Sequence, residues 1–110
     1  MQFMRKQVRF ATIREEEGRK PYLIISNNAR NKNFDSVLAV RITTTLKHKH
    51  HRSNYLLPPS EQGCIKGVVL GDTIIEIWKD EFDQQEPTCY ITERSMKHVE
   101  ESLKVALGME

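Results

Sequence analysis

Apolar and polar residues alternate over residues 7–13, Gln7-Val8-Arg9-Phe10-Ala11-Thr12-Ile13, the period of a half-buried β-strand. A charged stretch holding Gly18 and Pro21 follows and predicts a loop. Tyr22-Leu23-Ile24-Ile25 is a continuous apolar run of strand length, and the polar residues 26–35 predict a second loop. Residues 37–44 are rich in β-branched side chains and predict the next strand. A short strand is expected over residues 54–57, stopped by Pro58-Pro59. Residues 68–70 and 73–78 predict two strands around a Gly71-Asp72 turn, and residues 88–91 a last short one. The period then changes to that of a helix. Thr92 is a good N-cap, with Ile91 and Met96 at the positions of a hydrophobic staple. Met96, Val99, Leu103 and Leu107 form one stripe, and Gly108 is placed to end the helix. Many short strands before one terminal helix predict a small, twisted antiparallel barrel capped by that helix.

Side chains alternate across a strand, so Leu38, Val40 and Ile42 share one face, which should be core. Ala39, Arg41 and Thr43 share the other, so Arg41 and Thr43 should point together into solvent or into a site.

At 110 residues the chain has the size of one domain, and 38% hydrophobic with 29% charged residues is ordinary soluble composition. No apolar run approaches the roughly 20 residues of a membrane span, and the opening residues lack the apolar core of a signal peptide. A cytoplasmic protein is expected. Cys64 and Cys89 form no CxxC pair, and in a reducing compartment both are expected as small buried thiols rather than a disulfide. Residues 1–66 carry 13 Lys or Arg against 5 Asp or Glu, and residues 67–110 carry 4 against 10. A net +2 thus hides a polarity, which suits either an anionic partner for the basic portion or two faces that attract each other.

No GxSxG, HExxH or Walker loop is present. His48-x-His50-His51 has metal-ligand residues, but Lys47, Lys49, Arg52 and Arg41 nearby would repel a divalent ion. No metal or other cofactor is expected. The basic tract is better suited to touching phosphates, or to plain solvation. Gly18-Arg19-Lys20-Pro21 sets two cations at a strand entrance, able to grip a phosphate or to keep the entrance soluble.

In order, these segments resemble the MazF/PemK family of toxins, the mRNA interferases of toxin–antitoxin pairs. The resemblance runs through residues 5–13, Lys20-Pro21-Tyr22-Leu23-Ile24-Ile25-Ser26-Asn27, Ile42-Thr43-Thr44-Thr45, residues 67–74 and the closing helix with its Leu107-Gly108 end. It implies an SH3-like antiparallel β-barrel with a C-terminal helix, usually as a homodimer. It also implies metal-independent cleavage of single-stranded RNA at short sequences, leaving a 2′,3′-cyclic phosphate and a 5′-hydroxyl.

The family's catalytic residues are an Arg before the Pro and a Thr in the Ile-Thr segment. Thr43 matches the second, whereas Lys20 stands in place of the Arg. Lysine lacks the planar fork that grips two phosphate oxygens, so Arg41, or failing it Arg19, is expected to supply the guanidinium. Gly67 stands where the family often has Ser, which removes a possible hydroxyl near the site. Lys47, Lys49 and Arg52 are expected along RNA phosphates, and His50, His51 or Tyr55 to stack on bases. The implied antitoxin is an acidic, extended segment drawn to the basic portion. Two other readings share the fold: a module that binds RNA or antitoxin without cutting, and a gyrase-inhibiting toxin. The second depends on a C-terminal tryptophan, and here the one tryptophan is the internal Trp78.

Overall fold

The computed structural model describes residues 2–61, 63–83 and 87–110. It is built from β1 (Gln7–Ala11), β2 (Lys20–Ile24), α1 (Asn28–Asn33), β3 (Ser36–Thr43), β4 (Asn54–Leu56), β5 (Val68–Trp78), β6 (Cys89–Tyr90) and α2 (Glu93–Leu107). The strands make one antiparallel sheet in the order β4-β5-β3-β2-β1-β6, curled into a half-barrel with α2 packed on it. Among the described residues, no helix is long and apolar enough to cross a membrane.

The sheet buries both faces, because β2 and β3 are apolar on both. One face carries Val8, Leu23, Val40, Ile42 and Val69 against Met96 and Val99 of α2. The other carries Ala11, Tyr22, Ile24, Val37, Ala39 and Ile77, with Phe82. The core was expected on the Leu38 face, and this second face carries core as well. Val37 and Ala39 are fully buried, and the face opens only at its far end, where Arg41 and Thr43 are half-buried.

Other expectations are also revised. The loop over residues 26–35 contains α1, which Asn27 starts by accepting a hydrogen bond from Arg30 N at 2.8 Å. The two strands expected over residues 68–78 are the single strand β5. Gly71 does not turn the chain; its N–H donates to Ser53 O at 2.9 Å. A Cβ at Gly71 would lie well inside contact distance of that oxygen, so the close approach requires glycine. β5 bulges here instead. Ala39 pairs with Ile75 and Arg41 with Leu70, so β5 loops out between the two pairs. Thr73 mends the gap: its Oγ1 accepts from Arg41 N at 2.9 Å and donates to Leu70 O at 2.7 Å.

Helix α2 starts and stops where the sequence predicts. Thr92 Oγ1 accepts from Ser95 N at 3.1 Å, and Gly108 closes the far end at φ 71°. Ile91 and Met96 are 2% and 0% exposed, as a staple requires. The apolar stripe ends a turn early, since Leu107 is 59% exposed. A carboxylate also serves the helix start. Glu61, 3% exposed, accepts from Thr92 N at 3.1 Å and from Thr92 Oγ1 at 2.6 Å. Burial pushes the Glu61 carboxyl up, but hydrogen bonds from Ser95 and Thr92 outweigh it and hold it below its ordinary 4.5. The stability this adds is whole above that value and is lost as pH falls through the lowered one. Glu61→Gln is therefore expected to cost about 1–3 kcal/mol at pH 7 and to approach the parent in strong acid. Urea unfolding at both pH values checks this, and an equal loss at both would refute it.

Cys64 and Cys89 are joined in a disulfide, with Cα atoms 5.3 Å apart. This overturns the expectation of two free thiols. The contact is set by the fold: the turn at Pro59–Glu61 folds back so that Glu61 reaches Thr92 and Cys64 meets β6. Neither approach is visible in cysteine spacing.

Candidate active site

Strand pairing assembles the candidate residues. Tyr22 of β2 pairs with Arg41 of β3, where the paired register of the two strands ends, and Lys20 and Thr43 each lie two residues further along their own strands, on the same face. Lys20 in turn pairs with Ala11, and Thr43 with Val68. Cross-strand partners share a face, so Lys20, Tyr22, Arg41 and Thr43 form a four-residue patch at the open end of the Ala39 face. Lys20 belongs to it because β2 begins at Lys20, two residues before the apolar run.

A cleft of about 500 Å³ borders this patch, lined by Ile13, Arg14, Glu17, Tyr22, Arg41, Thr73, Ile75 and Glu76. Arg41 Nη1 donates to Glu17 Oε1 at 3.3 Å, and Arg14 Nε lies 3.6 Å from Glu17 Oε2. Among the described residues, Arg41 Nε is buried with no hydrogen-bond partner, and Nη1 to Glu17 is the side-chain bond Arg41 makes. The bulge in β5 falls beside this arrangement: pairing breaks between Ala39 and Arg41 and resumes at Arg41, whose backbone N–H is held by Thr73.

Tyr22 is a residue that sequence reasoning missed. It is 6% exposed and reaches this cleft. Burial raises its hydroxyl above the ordinary 10.0; Arg41 works against the rise, and Glu17 and Glu81 add to it. It therefore stands at neutral pH as an uncharged hydrogen-bond donor. Glu17 was also missed, as one of three consecutive glutamates in a charged loop.

Arg19 is not brought to this patch. Its Nε donates to Asp83 Oδ2 at 2.6 Å and its guanidinium lies 4.0 Å from the Phe10 ring centre. Phe10 is on the opposite face of β1 from Ala11, so Arg19 turns away from Lys20.

The basic tract lies beyond the end of β3. Lys47 and His48 sit in a short 3-10 turn, Lys49 is half-buried, and His50, His51 and Arg52 are exposed. The His48 and His51 rings meet edge to face, and Arg52 pairs with Glu110 beside the end of α2. Among the described residues no group of three or more His, Cys, Asp or Glu stands close enough to hold a metal ion. Tyr55 is not brought to the Thr43 face. It pairs with Val69 on the helix side and its ring stacks on His98, centres 5.0 Å apart and planes 7° apart. The ring already has a partner there.

Gly67 is not a vacant serine position. Its φ is 144°, and a Cβ would lie 2.5 Å from Thr43 O and 3.1 Å from Ile42 Cγ2. The glycine lets its strand entrance lie against the Thr43 carbonyl. Gly67→Ser is expected to destabilise the protein by about 2 kcal/mol or more, and to displace Thr43. A serine variant with the parent's thermal midpoint would contradict this.

Comparison with known proteins places these features in a wider set. Residues 7–107 match the family described as PemK-like, MazF-like toxin of type II toxin–antitoxin systems. The chain is 36% identical over 92 residues to the endoribonuclease MazF1 of Mycobacterium bovis, covering 84% of this chain and 82% of that one. The endoribonuclease MazF4 of Mycobacterium tuberculosis gives the same figures. Among solved structures, a mycobacterial endoribonuclease in complex with its cognate antitoxin is similar at a TM-score of 0.86 and 33% identity, covering 98% of this chain and 97% of that one. A MazE–MazF structure from Deinococcus radiodurans shares the fold at a TM-score of 0.79 and 22% identity, covering 100% of this chain and 99% of that one.

Proposed function

The chain belongs to the PemK-like, MazF-like toxins of type II toxin–antitoxin systems, and from that membership we infer an endoribonuclease that cuts single-stranded RNA on the Lys20–Thr43 face of its sheet. The observation that supports the site is the β2–β3 register, which pairs Tyr22 with Arg41 and so puts Lys20 and Thr43, two residues on along each strand, on the same face.

The reaction is an internal transfer. The ribose 2′-oxygen attacks the adjacent phosphorus, the 5′-oxygen leaves, and a 2′,3′-cyclic phosphate remains. Phosphorus gains negative charge on the way, so fixed cations and donors beside it lower the barrier. Arg41 has a free amino group to give a non-bridging oxygen. Lys20 adds a point charge and a proton for the leaving oxygen, and Thr43 a hydroxyl. No step needs a metal ion. Lys47, Lys49, His50, His51 and Arg52 extend the positive surface past the end of β3 and suit a run of phosphates. A second copy of the chain completes a homodimer, and an acidic antitoxin segment competes with RNA for the same cations. The RNA substrate places the protein in the cytoplasm.

The test is incubation with mixed-sequence single-stranded RNA in excess EDTA, beside Lys20→Ala and Thr43→Ala, with the ends mapped. Cyclic-phosphate and 5′-hydroxyl ends at a short recurring sequence, lost in both variants, are the expected result. RNA or antitoxin binding with no cleavage by the parent would instead mean a toxin fold that has kept recognition and lost chemistry.

A further inference from the structure

A protein that cuts single-stranded RNA at a short sequence must read a base near the cut, and unstacked bases are read on their Watson–Crick edges. The cleft beside the four-residue patch has what such reading needs. Its volume of about 500 Å³ lies within the roughly 300–1,000 Å³ of sites that bury a small ligand. That is room for one base with its ribose. Ile13 and Ile75 give the cleft apolar walls. Ile75 is 36% exposed, an apolar side chain that a base would cover.

The polar groups of the cleft are few, and each has a definite sense. Glu17 accepts. Of three consecutive glutamates it is the one that lines the cleft. Its carboxylate lies 3.3 Å from Arg41 Nη1 and 3.6 Å from Arg14 Nε, both longer than the roughly 2.7–2.9 Å of a tight charge-assisted hydrogen bond. Both oxygens therefore keep lone pairs for a ligand. Tyr22 donates, because burial keeps its hydroxyl protonated. Arg41 Nε also donates, and it is buried with no hydrogen-bond partner among the described residues. A buried donor in that state is destabilising until an acceptor meets it. The remaining groups are engaged. Thr73 Oγ1 is held between Arg41 N and Leu70 O, and Glu76 accepts from Ser36 Oγ at 2.6 Å. The cleft thus presents one open carboxylate beside two donors.

We propose that this cleft is a guanine-reading pocket next to the cut, with Glu17 as the residue that selects the base. The proposal rests on the endoribonuclease reading and names part of its substrate. Of the four RNA bases, guanine sets two N–H groups, N1–H and N2–H, side by side with an acceptor, O6, next to them. The two N–H groups meet the two Glu17 oxygens, and O6 falls toward the Tyr22 hydroxyl and Arg41 Nε. Adenine and cytosine offer one amino group and a bare ring nitrogen, whose lone pair would face the second carboxylate oxygen. Uracil sets its single N–H between two carbonyls. Each wrong base leaves a polar group of the pocket unpaired or brings two acceptors face to face. Base reading is separate in space from the chemistry, since neither Lys20 nor Thr43 lines the cleft.

The test takes one RNA oligonucleotide with a mapped cut and varies the base beside that cut. Guanine is expected to recur at one fixed position next to the mapped cuts. Inosine there, which lacks only the N2 amino group, should be cut about 10 times more slowly in single turnover, and adenine about 100 times. Glu17→Gln is the discriminating variant. A glutamine amide accepts from adenine N6–H and donates to adenine N1. The variant should therefore lose rate on the guanine RNA and gain it on the adenine RNA, whereas a group needed for the chemistry or the fold would lower both alike. Cuts that share no neighbouring guanine, or a Glu17→Gln protein that is slowed equally on guanine and adenine, would overturn the proposal and leave the endoribonuclease reading standing. If the parent cuts nothing, that reading fails, and the affinities of guanine-containing and guanine-free oligonucleotides decide this one. Tighter binding of the guanine RNA, lost in Glu17→Gln, would support it, and equal affinities would overturn it.

Discussion

Arg41→Ala is expected to cut RNA about 10²–10³ times more slowly than the parent, a loss of roughly 3–4 kcal/mol of transition-state stabilisation. The size follows from what the patch lacks. Lysine at residue 20 offers a compact charge and no fork, whereas a pentavalent phosphorus presents two oxygens side by side. Among the residues on the Lys20–Thr43 face, Arg41 is the guanidinium in position, half-buried and paired across the sheet with Tyr22. Its backbone is held by Thr73 whatever its side chain, so the truncation should leave the sheet intact and lower activity far more than the thermal midpoint. Two further variants separate charge from geometry. Arg41→Lys keeps the charge and should recover little. Lys20→Arg on the Arg41→Ala background restores a fork from the facing strand and should recover part of the rate. Single-turnover cleavage of one mapped RNA reads all three. An Arg41→Ala protein as fast as the parent would end the idea that this residue compensates for Lys20.

How much of this was legible in the sequence depends on whether the signal was local. The start of α2 was, because Thr92, Ile91 and Met96 act within one turn of chain, and the structure has each of them in its capping role. The pairing of Arg41 with Thr43 on one face was too, since it needs only the two-residue period. Contacts between distant segments were not. That Lys20 shares a face with Thr43 depends on where β2 begins, and Pro21 made the strand seem to start later. Tyr22 was hidden inside an apolar run that buries both faces. Tyr55 sits next to the basic tract in sequence, but parity with Val69 turns it to the helix side, onto His98. Glu17 carries no mark that separates it from Glu15 and Glu16; its meaning comes from Arg41, 24 residues away. The bulge in β5 was read as a turn because Gly71-Asp72 is a common turn pair, while the backbone used that glycine to approach Ser53.

Reduction of the Cys64–Cys89 bond is expected to lower stability by about 3 kcal/mol, from the entropy of the chain it closes. The cysteines are 25 residues apart, and the crosslink restrains the unfolded chain over that whole stretch. The folded state has other ties across the same gap. Glu61 accepts from Thr92 by backbone and side chain, and Ile91 N donates to Lys6 O at 3.1 Å. Both cysteines pack with the helix-side core, on the far side of the sheet from Lys20 and Thr43. The dithiol form should therefore unfold at a thermal midpoint lower by roughly 10 °C or more, yet cut RNA at the parent rate at 25 °C. In a reducing compartment the thiols would be the lasting form. Urea unfolding and single-turnover cleavage with and without a thiol reductant, repeated on the Cys64→Ala/Cys89→Ala double variant, measure both halves. An unchanged midpoint would mean that the crosslink adds nothing the Glu61 and Ile91 contacts do not already supply. A lost rate would mean that the segment between Cys64 and Gly67 must be pinned for Thr43 to hold its place.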